Sequence, residues 1–191
     1  MKDSYIKFNC DWDKSELLFD VKELNKWRDK LYSLKLIGAH PDGVGYGNIS
    51  QRNGKNFIIT GSKTGGIEKL TLEHYTRVED WNFEKNYLHC DGPIEASSES
   101  LTHAAVYESL TDVNAVIHIH NLELWSKLIN KVPTTSKNVE YGTPKMAYEI
   151  KRLIKNENIE KKIIVMAGHE EGIITFGKNL DEAGKILLDI L

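Results

Sequence analysis

The sequence predicts an α/β protein, a largely antiparallel sheet with helices packed on it, in one domain spanning residues 1–191. Three observations carry this. Apolar residues recur at spacings of three and four in some segments, the period of a half-buried helix. Short β-branched runs occur in others, as in NFIIT, AVIHIH and IIVMAG. The two kinds of segment are mixed without a strict strand–helix–strand rhythm, which favours antiparallel pairing over parallel crossovers. A chain of 191 residues suits one compact core.

Element by element, the spacing of Val21, Leu24, Trp27, Leu31 and Leu34 predicts a helix over Phe19 to Leu36, with Gly38 as its C-terminal cap. A glycine-rich turn, AHPDGVGYGNISQR, follows. Asn56 to Thr60 reads as a strand and GSKTGG as a tight turn. Thr71 caps a short helix with Leu72 and Tyr75 inward, and Glu84 to Cys90 reads as an edge strand. ASSES opens a helix over Ser98 to Leu110, and the strand AVIHIH comes next. Thr143 and Pro144 start a helix as cap and first position, with Met146, Ala147, Ile150, Leu153 and Ile154 on its apolar face. IIVMAGHEEGIITF reads as two strands joined by a turn at Gly168 to Gly172. Asn179, three residues before Glu182, starts the last helix.

Composition bounds the function. Hydrophobic residues are 40%, charged residues 28% and the net charge is −3, with basic residues scattered, so neither nucleic acid nor an anionic membrane is an expected partner. No apolar run approaches the ~20 residues of a membrane span. The start, MKDSYIKFNCDWDK, is too polar for a signal peptide, and Cys10 and Cys90 stand in no paired motif. A cytoplasmic protein is the expectation.

The chemistry concentrates in AVIHIH. A strand alternates its faces, so His118 and His120 point the same way, about 7 Å apart along the chain, with Val116 below them. They are either a hydrogen-bonded pair or two ligands of one ion. A catalytic zinc needs three protein ligands and an open position. His169, in the turn after IIVMAG, stands out as the third; His103, on the helix before the strand, reads as a surface or packing histidine. His40, His74 and His89 lie in polar or irregular surroundings and are expected to face solvent. Glu99 follows Ser97 and Ser98 at a helix start, where free N–H groups favour anions. That stretch reads either as a plain helix cap or as a phosphate cradle with Glu99 as general base. GVGYGN and GSKTGG match neither the dinucleotide nor the Walker A pattern.

Taken in order, GNISQR, ITGSKTG, ASSESLTHAAVY, AVIHIH and VMAGHEEGIITFG resemble the class II aldolase/adducin family, the family of the metal-dependent fuculose phosphate aldolases, over roughly residues 20 to 190. The resemblance implies a three-layer α/β/α fold with a central, mainly antiparallel sheet, commonly in a homotetramer. It implies Zn2+ or another divalent ion on His118, His120 and His169, with Glu99 as the acid/base residue. It implies that Asn48, Thr64, Gly65, Ser97 and Ser98 hold a substrate phosphate. The implied activity is that of a metal-dependent aldolase, cleaving or forming a small sugar phosphate through a metal-stabilised enediolate. A dehydratase or epimerase of the same family is the alternative, and a non-catalytic adducin-like interaction module a further one.

This chain also departs from the family pattern. Glu170 and Glu171 follow His169 where a glycine is usual, and a tail tyrosine found in the aldolases has no evident counterpart. Lys63 can offset the two carboxylates, and Tyr141 is a candidate for the site wall.

Overall fold

The structure, a computed structural model, describes residues 8–191. Its strands are β1 (Asn9–Lys14), β2 (Gly38–Ala39), β3 (Gly45–Tyr46), β4 (Asn48–Asn53), β5 (Asn56–Thr60), β6 (Tyr75–Asn82), β7 (Tyr87–Gly92), β8 (Ala115–His120), β9 (Ile163–Val165) and β10 (Gly172–Gly177). Its helices are α1 (Lys22–Ser33), α2 (Ser100–Ser109), α3 (Leu122–Leu128), α4 (Pro144–Asn156) and α5 (Leu180–Leu188). Eight strands form one sheet in the order β1-β7-β6-β5-β4-β8-β10-β9, and only the β1–β7 pair is parallel. β2 and β3 make a separate two-stranded ribbon.

The sheet carries a core on each face, which gives three layers. Alternation along β8 sends Val116 to one face, where it packs with Leu101 and Ala105 of α2 and Met146 and Ile150 of α4. Ala115, Ile117 and Ile119 go to the other face, with Leu24 and Leu31 of α1 and Ala183 and Leu187 of α5. All of these side chains are fully buried. Each large one contributes roughly 1.5–3 kcal/mol by leaving water. Trp27 lies directly over Gly184, where a Cβ would meet its ring at 2.1 Å, and its indole donates to Asp181 at 2.7 Å. That close approach locks α1 onto α5.

The helix starts predicted at Thr143 and Asn179 are present, each side chain accepting from the backbone N–H three residues on. The hairpin of β9 and β10 and the single-faced histidines of β8 are present too. Other elements differ. α1 is shorter than Phe19 to Leu36, because the Asp20 carboxylate accepts from the Lys22 N–H in a turn before it. It ends at Ser33 with Leu34 as the C-cap; Lys35 just beyond takes φ 57 while the Leu36 N–H donates to the Leu31 carbonyl, so Gly38 is not the cap. Gly38 sits in β2, where the Tyr46 ring fills the space of a missing Cβ. β7 is shifted from Glu84 to Cys90 and is not an edge, since β1 pairs with it and becomes the edge. Thr71 caps a single 3-10 turn and Leu72 is exposed, not inward. No helix of the described residues is long and apolar enough to cross a membrane.

Candidate metal centre

β8 pairs with β4 on one side and β10 on the other, so His118 lies beside Asn48 and opposite Ile174. The turn between β9 and β10 closes back over the end of β8. The Asn121 N–H donates to the Glu171 carbonyl at 3.0 Å, and His169 is carried above the histidine pair. The three rings converge. His120 Nε2 stands 3.2 Å from His118 Nε2 and 3.0 Å from His169 Nε2. Two nitrogens bound at about 2.0–2.1 Å to one tetrahedral ion stand roughly 3.3 Å apart, so the spacing fits a single cation.

The protonation states fit as well. The His118 Nδ1–H donates to the Ile173 carbonyl at 3.2 Å, which leaves Nε2 as a lone pair facing the cluster. Burial, with His169 and His103 adding to it, holds His118 well below the ordinary histidine range. Burial, then His118 and His40, bring His120 down to about 2. His118, His120 and His169 are a group that could hold a metal ion, their ligand nitrogens all lying within 4.8 Å of one another. Tyr141 stacks on His169 at 4.2 Å between centroids, and Tyr46 stacks on His120 at 5.3 Å.

Around these rings opens a cavity of about 380 Å³. Its wall includes every residue singled out in the sequence: Asn48, Thr64, Gly65, Ser97, Ser98 and Glu99 together with the three histidines. Two chain crossings bring the segments together. Gly61 bridges Ala96, with the Ser62 N–H donating to the Glu95 carbonyl, so the GSKTGG turn lies beside ASSES. A Cβ on Gly65 would stand 2.3 Å from the Gly38 carbonyl, so only glycine lets that turn press against the β2–β3 ribbon. Lys63 tips the turn at φ 62 and lines the cavity.

α2 starts later than Ser98, and Glu99 is its N-cap residue. Ser97 and Ser98 precede it; Ser97 Oγ accepts from the Glu99 N–H at 3.4 Å and the Ser97 carbonyl from the Ser100 N–H at 3.0 Å. Glu99 is 3% exposed, and the Thr102 hydroxyl donates to its Oε2 at 2.8 Å, which fixes the carboxylate's orientation. Asn48 Oδ1 is buried with no hydrogen-bond partner among the described residues.

Of the two roles expected of His103, packing holds: it is fully buried, its Nδ1 lies 2.7 Å from Ser50 Oγ, and burial lowers it to about 3. Two features were not anticipated. His40 is half-buried and lines the cavity. Arg28, 1% exposed, reaches from α1 to the underside of the GSKTGG turn. It donates to the carbonyls of Thr64 at 3.2 Å, Gly65 at 2.9 Å and Glu68 at 2.8 Å. Its sequence signal was its position: four residues after Leu24 and three before Leu31, on the buried stripe of α1.

The comparisons with known proteins agree with this geometry. The profile of the Class II Aldolase and Adducin N-terminal domain matches residues 35–189, and the chain belongs to that family. The L-fuculose phosphate aldolase of Methanocaldococcus jannaschii is 25% identical over 178 residues, covering 86% of this chain and 87% of its own. Among solved structures, an L-fuculose 1-phosphate aldolase superposes with a TM-score of 0.70 at 21% identity, over 92% of this chain and 83% of the other. The L-fuculose-1-phosphate aldolase of Thermus thermophilus gives 0.63 at 21% identity, over 87% and 86%. These structural likenesses establish the fold.

Proposed function

We propose that this chain is a metal-dependent aldolase, a carbon–carbon lyase acting on a small phosphorylated sugar. One observation carries the reading: three imidazole nitrogens, a buried carboxylate and a glycine-rich anion turn open on one cavity. His118, His120 and His169 would hold Zn2+ or another divalent transition metal; imidazole accepts several. Such an ion supplies Lewis-acid polarisation of the substrate's carbonyl and adjacent hydroxyl.

The remaining roles fall to the chain itself. Ser97 and Ser98, before α2, and Thr64 and Gly65 of the turn present hydroxyls and backbone N–H groups to the phosphate, with Asn48 offering its amide. Lys63 adds a positive charge to the cavity lining. Glu99 would take the proton from the substrate hydroxyl as the carbon–carbon bond breaks and deliver it to the carbon of the enediolate fragment, with the order reversed for synthesis. Tyr141 and Tyr46, stacked on His169 and His120, line the cavity beside the imidazoles.

The family resemblance supports a homotetramer, which light scattering of the purified chain tests. Cys10 and Cys90 are free thiols, which suits a reducing, cytoplasmic setting. The activity is tested by incubating the ion-loaded protein with L-fuculose 1-phosphate and a panel of other ketose 1-phosphates. Release of dihydroxyacetone phosphate, lost in Glu99→Gln, supports the aldolase. Loss of water without cleavage makes the protein a dehydratase, inversion at one carbon an epimerase. No turnover with any of them returns the fold to an adducin-like binding role.

A further inference from the structure

His120 has two ring nitrogens, and the structure gives each a different neighbour. Nε2 faces His118 and His169. Nδ1 faces outward, 3.7 Å from Oε2 of Glu171. Tyr46 stacks on the ring and His40 stands edge-on to it, centroids 6.1 Å apart, so the ring cannot swing freely. His118 shows the same division, with Nε2 toward the cluster and Nδ1 toward the Ile173 carbonyl. The difference is the outer partner: a neutral carbonyl for His118, a carboxylate for His120.

Glu171 occupies that place against its backbone preference. It has φ 70, in the left-handed region where glycine is unstrained and a side chain is not. Its carbonyl is pinned by the Asn121 N–H, which ties the turn to the end of β8 and holds the carboxylate across from His120. It is half-buried.

We propose that Glu171 is a positioning residue for His120. Its carboxylate, 3.7 Å from Nδ1 and so beyond hydrogen-bond length, acts by its negative charge: it favours the tautomer with the proton on Nδ1, which leaves the Nε2 lone pair on the side of His118 and His169. The inference rests on the three-histidine metal reading. A competing arrangement exists, because His40, His120 and Glu171 also bring ligand atoms within 4.8 Å of one another. It would make Glu171 a ligand of a second ion. Two further imidazole nitrogens stand 3.2 and 3.0 Å from His120 Nε2, whereas the nearest group to Nδ1 on the other side is a carboxylate at 3.7 Å, so a single ion on the Nε2 side is favoured.

The test titrates the chelator-stripped full chain with Zn2+ against a chromophoric competitor, and with Co2+ by visible absorption. Wild type, Glu171→Gly, Glu171→Gln, His40→Ala and His118→Ala are compared. Glu171→Gly relieves the backbone strain, so the ion-free variant unfolds at the same temperature as wild type or higher. Its Zn2+ affinity nonetheless falls 10- to 100-fold at an unchanged one ion per chain. Glu171→Gln keeps the side chain's length but not its charge and loses affinity as Glu171→Gly does, and the Co2+ spectrum shifts in both variants. Equal affinity in wild type and Glu171→Gly overturns the proposal. So do two ions per wild-type chain with one lost in both Glu171→Gly and His40→Ala. Wild type that binds no better than His118→Ala is a different failure, that of the three-histidine centre itself.

Discussion

Arg28 Nη2 donates to the carbonyl of Gly65 at 2.9 Å, from beneath the turn whose upper side faces the cavity. The same guanidinium holds Thr64 and Glu68. A buried cation therefore organises the anion turn through its carbonyls, which leaves the turn's N–H groups for other partners. Replacing it strands three acceptors. Arg28→Met is expected to cost about 2–4 kcal/mol of stability. Inorganic phosphate, as a competitive inhibitor, is expected to weaken about tenfold, the loss of roughly one charge-assisted hydrogen bond. Arg28→Lys keeps the charge without the fork of donors and falls between. Urea unfolding and phosphate inhibition measured together check this. Unchanged phosphate inhibition in a folded Arg28→Met would separate the turn from substrate binding.

Glu99 lies at the cavity wall, held by Thr102. Glu99→Gln is isosteric and can still accept from Thr102. It is expected to keep the ion and to lower the cleavage rate by about 10²–10⁴, the usual contribution of a general base. Ion content by atomic absorption and the single-turnover rate check the two halves separately. A variant that loses its ion would make Glu99 part of the metal centre.

Burial lowers His103 to about 3, from about 6.5 in an unfolded chain. The unfolded state therefore binds this proton first as the pH falls. The stability His103 contributes is complete above pH 6.5 and is lost progressively toward pH 3. In the ion-free protein, unfolding free energy is expected to fall with pH across that window. His103→Gln is expected to remove about 1.4 kcal/mol per pH unit from the slope. His118 and His120, lowered by the same cause, keep part of the slope in the variant. Urea denaturation at several pH values checks this; parallel curves for the two proteins would contradict it.

The parts of the site that were legible in the sequence are those fixed by short-range rules. His118 and His120 share a face because strands alternate, and Val116 and Ile117 mark the strand. His169 could be assigned because a hairpin turn returns the chain to the neighbouring strand. What was missed depends on long-range packing. β6, with the pattern YTRVEDWN, is paired on both sides yet half-exposed over its second half, so it shows no clean alternation. β1 is polar because it is an edge, and its parallel partner lies far along the chain, Asn9 standing opposite Tyr87. His40 sits in a glycine-rich loop whose path depends on the Gly38–Tyr46 contact. The five-motif resemblance supplied what spacing alone could not, the convergence of separate loops on one cavity.

The decisive experiment is the metal content of the protein purified without chelator, beside His118→Ala. A three-histidine centre predicts about one divalent ion per wild-type chain and none in the variant, with both proteins folded by circular dichroism. No ion in wild type, even after incubation with Zn2+, would contradict it and remove the metal-dependent mechanism.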